Sequence, residues 1–169
     1  MRIAKFIANN GICSRRGAEK LIEQGVVSID GKIINSPAFN ITESNVIVVN
    51  GKKLDHASNP RLWIYYKPVG LITTHQDPQG RTTIFETLEG KLPRVVSVGR
   101  LDINSEGLLL LTNSGDLSRY YDSPVNKIER IYKARVFGRA KELDFKNQAI
   151  VVDGIKYHPK SIKIGRAHV

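Results

Sequence analysis

The residues best suited to chemistry lie in one string, Val98-Gly99-Arg100-Leu101-Asp102-Ile103-Asn104-Ser105-Glu106-Gly107-Leu108-Leu109-Leu110-Leu111. Two glycines bracket a polar loop between two apolar runs. That arrangement sets a carboxylate at the lip of a sheet, with its backbone held by the strand that follows. An aspartate placed this way suits a nucleophile or a general base. A loop aspartate beside glycine equally serves as a turn or cap residue, and residue type alone leaves both readings open. A carboxylate pair of glycosidase type, Asp102 with Glu106, is a third reading. Missing aromatic sugar platforms and a basic surface argue against it.

Two basic clusters flank this loop in sequence. Lys127, Arg130, Lys133, Arg135, Arg139 and Lys141 fall in one stretch against the single acid Glu129. A strand carrying Tyr132 among these charges would grip a polyanionic backbone; a charge-protected sheet edge with a core-filling tyrosine is the alternative. Near the N-terminus, Arg2 and Lys5 lie on a first helical stretch and Arg15, Arg16 and Lys20 on a second, opposed only by Glu19 and Glu23. Such a pair can project cations toward successive phosphates, or present a solvated face with pairs such as Arg15 to Glu19.

The elements that must carry these residues follow from periodicity. Ile3, Phe6 and Ile7 stand at helical spacing and Asn10-Gly11 supplies a left-handed stop. Ser14 stands at an N-cap position before a second helix, Arg15 to Gln24, with Ala18, Leu21 and Ile22 on one face and Gly25 closing it. Short strands then run into Asp30-Gly31 and Asn50-Gly51, both strong hairpin signals. The polar, proline-containing stretch up to Pro60 breaks both periodicities and reads as a linker. Beyond it, strand-like runs occur at Leu62 to Tyr66, Val95 to Val98, Leu108 to Thr112, Ile131 to Phe137, Ala149 to Val152 and Ile162 to Ile164. Between them, Ile84 to Leu88 and Leu117 to Tyr121 read as helical turns too short for parallel crossovers. The expected fold class is α+β: two helices with short strands, then a mixed, mainly antiparallel sheet.

Composition bounds the function. The 169 residues include 26 Lys plus Arg against 16 Asp plus Glu, a formal net charge of +10. With 41% hydrophobic residues a packed core is expected rather than disorder. The positive excess favours polyanionic partners, nucleic acid first. Apolar runs such as Val46 to Val49 and Leu108 to Leu111 are four residues, far below the ~20 needed to span a bilayer. The start of the sequence lacks a secretory pattern, so a cytoplasmic location is expected. A single cysteine, Cys13, and four scattered histidines predict neither disulfide nor metal site.

The ordered strings Arg2-Ile-Ala-Lys5-Phe-Ile-Ala, Gly11-Ile-Cys-Ser14-Arg15-Arg16-Gly-Ala-Glu19 and Ile22-Glu-Gln-Gly25-Val-Val-Ser-Ile-Asp30-Gly31 resemble the S4 RNA-binding domain. The aspartate string resembles the catalytic motif of pseudouridine synthases, of the ribosomal small-subunit synthase A and large-subunit synthase B type. Tyr66-Lys67-Pro68-Val-Gly70 resembles the strand that opens that catalytic domain. Asp77-Pro-Gln-Gly80-Arg81-Thr82-Thr-Ile-Phe85 resembles a segment of the large-subunit synthases of B type, and Glu129-Arg130-Ile-Tyr132-Lys133-Ala-Arg135-Val136 the motif with the active-site tyrosine.

The resemblance implies an S4 domain over residues 1–56, a linker over 57–61 and a catalytic domain over 62–169. It implies isomerisation of a specific uridine in ribosomal RNA, of the large subunit given residues 77–85, without cofactor or metal. Asp102 would be the catalytic carboxylate, Tyr132 would stack on the extruded uracil, and Arg100 would help occupy the space around the flipped nucleotide. Arg2, Lys5, Ser14, Arg15, Arg16, Lys20, Lys67, Arg130 and Lys133 would contact RNA. Two departures stand out. Ser105 occupies a position that is usually Thr, which keeps a hydroxyl. Such proteins also continue past Val169 through further strands and a basic helix, so an incomplete catalytic sheet is expected, and with it the alternative of an inactive S4 protein that only binds RNA.

Overall fold

A computed structural model describes residues 1–55, 59–135, 150–157 and 159–163. The helices form where apolar spacing and capping agree. Helix α1 (Ile3–Asn9) turns Ile3, Ala4, Phe6 and Ile7 inward. Helix α2 (Arg15–Glu23) begins at Ser14, whose hydroxyl accepts the Gly17 N–H at 3.0 Å, and buries Ala18 and Ile22. Both pack on a four-stranded antiparallel sheet of order β2-β1-β3-β4: β1 (Val27–Ile29), β2 (Lys32–Ile33), β3 (Ile47–Val49) and β4 (Lys52–Lys53). The two hairpins close at Asp30-Gly31 and Asn50-Gly51, with both central residues of each turn at positive φ, which matches the strand twist. Val27, Ile29, Ile41, Ile47, Val49 and Leu54 complete this core. Each such side chain contributes about 1.5–3 kcal/mol by leaving water.

A second antiparallel sheet, of order β5-β7-β6, is built from β5 (Leu62–Lys67), β6 (Val96–Val98) and β7 (Gly107–Thr112). Its register sets Trp63 opposite Leu111, Tyr65 opposite Leu109 and Lys67 opposite Gly107, so these six share one face. That face covers Ile84 and Phe85 of α3 (Ile84–Thr87), together with Val95 and Leu101. A capping box between Thr83 and Glu86 starts α3. The other face turns Leu62, Ile64, Tyr66 and Leu108 outward. Helix α4 (Gly115–Asp122) is capped by Ser114 and pinned to β6 where the Ser118 hydroxyl donates to the Ser97 carbonyl at 2.9 Å.

The chain divides into two compact units, Met1–Ile128 and Glu129–Val169. Within the second, β8 (Ile150–Val152) and β9 (Ile155–Tyr157) form a hairpin, and the Lys160 ammonium pairs with the Glu129 carboxylate. The architecture is α+β with antiparallel sheets, as the sequence predicts. Two expected strands differ. Residues 131–135 form no strand, and Ile131 and Tyr132 are exposed; residues 136 and 137 lie outside the described set. Residues 162–163 likewise form none, and 164 lies outside it. An apolar alternation becomes a strand only where a neighbour takes its backbone hydrogen bonds, and neither segment has such a neighbour among the described residues. Residues 57 and 58 of the expected linker are also outside the described set. No helix among the described residues is long and apolar enough to cross a membrane.

Candidate active site

The loop joining β6 to β7 alternates between outward and inward positions. Arg100, Asp102, Asn104 and Glu106 are exposed, while Leu101, Ile103 and Ser105 are half-buried. Gly107, at φ +124°, ends the loop in a conformation that side chains rarely adopt and releases the chain into β7. The loop backbone is clamped at several points. The Thr73 hydroxyl donates to the Leu101 carbonyl at 2.9 Å and accepts the Leu101 N–H at 3.3 Å. The Gly70 N–H donates to the Ile103 carbonyl at 2.7 Å, and the Ser105 N–H closes a turn on the Asp102 carbonyl at 3.0 Å.

Lys67 completes the clamp from beneath. Its alternation partners on β5, Trp63 and Tyr65, face the core, and Lys67 follows them to 0% exposure. The ammonium donates to the carbonyls of Pro68 (3.0 Å), Asp102 (2.9 Å) and Ser105 (2.8 Å). A lysine has three N–H donors, so all are used. Burial pushes its pKa below the ordinary lysine value, and the Asp102 charge opposes that shift. A buried cation thus holds the backbone of a loop whose Asp102 side chain is exposed. Above it, Tyr66 faces outward, and its phenol is pushed up by desolvation and by the Glu106 carboxylate nearby.

This overturns the expectation that Lys67 contacts RNA: a fully buried ammonium with no spare donor has nothing to offer a phosphate. It positions the aspartate loop instead. Ser14 serves as the cap of α2, and the Lys5 ammonium binds both oxygens of Asp116 at 2.7 Å. Arg2, Arg15, Arg16 and Lys20 are exposed on the helix pair. Arg130, Tyr132 and Lys133 belong to the second compact unit, where all three are exposed. Of the remaining clamp residues, Gly70 ends the Tyr66-Lys67-Pro68-Val-Gly70 string, and Thr73 carries no sequence signal beyond its place just after it. No group of three or more His, Cys, Asp or Glu side chains among the described residues converges on a metal position.

A family model described as RNA pseudouridylate synthase matches residues 61–168, and an S4 domain model matches residues 1–47. The chain belongs to the RNA pseudouridine synthases. An uncharacterized RNA pseudouridine synthase of Rickettsia felis is 58% identical over 166 residues, covering 96% of this chain and 71% of that protein. One from Rickettsia prowazekii is 56% identical over 168 residues, covering 98% of this chain and 70% of that protein. A ribosomal large subunit pseudouridine synthase B of Bacillus subtilis is 38% identical over 137 residues, 81% of this chain and 56% of that protein. RNA pseudouridine synthases are isomerases, and the S4 match makes RNA the partner of this chain.

Proposed function

We propose that this chain converts a specific uridine of large-subunit ribosomal RNA to pseudouridine, with Asp102 as the catalytic carboxylate. The exposed Asp102 side chain on a loop clamped at Leu101, Asp102, Ile103 and Ser105 carries this reading. Fixing the backbone before substrate arrives keeps the carboxylate in place without reorganisation during reaction. The named activity of the Bacillus subtilis relative, and of a Yersinia pestis one 41% identical over 145 residues, supports the large-subunit target.

The reaction conserves atoms and electrons. The N1–C1′ bond of the nucleoside breaks, the uracil turns, C5 bonds to C1′, and the C5 proton leaves while N1 gains one. No redox partner enters that balance. Asp102 assists at the sugar, as a nucleophile at C1′ or as a base. Tyr132 stacks on the extruded base and recovers part of the lost stacking, and Arg100 occupies space around the flipped nucleotide. Arg2, Arg15, Arg16 and Lys20 hold structured RNA from the helix pair, and Arg130 and Lys133 contact the backbone near the reacting base.

The test is incubation of the chain with an unmodified large-subunit ribosomal RNA transcript, followed by chemical mapping of pseudouridine. One or a few converted positions are expected, and conversion should fall to background in Asp102→Asn while transcript binding persists. Binding without conversion by the parent chain would reject the enzymatic reading and leave an RNA-binding S4 protein.

A further inference from the structure

Within the first compact unit a cleft of about 480 Å³ opens between the helix pair and the edge formed by β6 and α4. Its lining includes Lys5, Arg15, Arg94 and Arg119, and the single acidic side chain there is Asp116. Asp116 is already bound to Lys5. Among the described residues, the guanidinium groups of Arg15, Arg94 and Arg119 enter no ion pair. Three uncompensated cations around one concavity raise its potential and make it a trap for an anion.

The geometry is narrow. A Cβ at Gly115 would stand 3.4 Å from the Arg15 guanidinium, and one at Gly11 would stand 3.7 Å from the Arg94 Cβ. The helix pair and the sheet edge therefore approach closely at these arginines. The field of Arg94 reaches both Cys13 and His75, whose protonation it opposes. Guanidinium forks match the oxygens of a phosphate bidentately, which a lysine cannot do. A nucleic-acid backbone supplies such phosphates in succession, and the uncompensated positive charge of the cleft favours it.

We propose that this cleft is a second RNA site, in which Arg15 from α2 and Arg94 and Arg119 from the sheet side hold neighbouring backbone phosphates. The proposal rests on the chain acting on RNA and adds two residues, Arg94 and Arg119, that the motifs do not single out. Contacts of this kind carry no sequence information; they fix register and orientation. Arg94 precedes β6, and β6 runs directly into the aspartate loop, so phosphates held here set the RNA relative to Asp102.

Two measurements on the full chain test it. The first is the salt dependence of transcript binding. Each lost phosphate contact lowers the slope of log K against log salt by about 0.7–0.9, so Arg94→Gln with Arg119→Gln should lower it by about 1.4–1.8. Lys52→Gln with Lys53→Gln, outside the cleft, should leave the Arg94 and Arg119 contribution intact. The second needs no substitution. Cys13 lines the cleft and is the chain's single cysteine, so saturating transcript should slow its alkylation about tenfold or more. Transcript binding with an unchanged slope in the double variant and undiminished Cys13 labelling would overturn the cleft and leave the enzyme reading standing. Protection of Cys13 by polyglutamate and not by RNA would assign the cleft to an acidic peptide and likewise overturn it. A parent chain that binds no transcript would overturn the RNA reading itself.

Discussion

Lys67 shows how one buried charge can determine the geometry of an exposed one. Its three carbonyl partners belong to Pro68, Asp102 and Ser105, two of them in the aspartate loop, and water does not reach the ammonium. Lys67→Met keeps the length and apolar stem of the side chain but takes this donor from the Pro68 and Ser105 carbonyls, while the Asp102 carbonyl keeps the Ser105 N–H. Each partly buried acceptor left unpaired costs about 1–3 kcal/mol, so the variant should lose about 2 kcal/mol or more in urea unfolding. Asp102→Asn, at an exposed position, should change stability by less than about 0.5 kcal/mol. Equal stability losses in the two variants would contradict the clamp. The alternation Trp63, Tyr65, Lys67 already marked Lys67 as inward-facing, yet its basic character invites assignment to RNA. Periodicity spoke about position where residue type spoke about partner, and position governed. Asp102 stood out for a different reason: its polar string is bracketed by two glycines, although Lys67, Gly70 and Thr73, which hold its loop, lie far from it in sequence.

At the level of elements, local signals were legible and remote pairing was not. The helices, their caps and the Asp-Gly and Asn-Gly hairpins are decided within a few residues, and the structure places them accordingly. The expected strand from Ile131 does not form within 131–135, where no partner strand stands among the described residues; β-structure needs a second strand, which no local pattern can promise. The loop at 77–81 is decided locally and can be tested by pH. The Asp77 carboxylate accepts the Arg81 backbone N–H at 2.8 Å and the guanidinium through Nε at 3.0 Å and Nη2 at 2.8 Å. These bonds, chiefly the guanidinium's, hold the carboxyl pKa down at about 2. A carboxylate lowered in the folded state adds stability above its unfolded value, near 3.8, and that stability is lost as pH falls through about 2. Asp77→Asn should therefore lower the melting temperature at pH 6, with the gap closing progressively from about pH 4 toward pH 2. A gap that stays constant down to pH 2 would show that the ionised pair contributes nothing.

Over the whole molecule, a charge of +10 says that polyanions are favoured but not which cations meet them. Counterion release supplies the distinction, because only a cation that is unpaired before binding is free to displace the counterions condensed on a phosphate. Lys5 and Arg15 both line the cleft, are equal in formal charge, and belong to the basic helix pair. Lys5 is neutralised by Asp116 at 2.7 Å, whereas the Arg15 guanidinium has no ion-pair partner among the described residues. Arg15→Ala should lower the salt slope of RNA binding by about 0.7–0.9, and Lys5→Ala should leave it nearly unchanged. Asp116→Asn should then behave as a gain: it frees Lys5 and steepens the slope by about the same amount. Direct titration of transcript binding from about 50 to 200 mM salt resolves all three. Should Lys5→Ala flatten the slope as much as Arg15→Ala, the Asp116 pair would be broken by RNA, and the internal pairing would not define the charges that RNA meets.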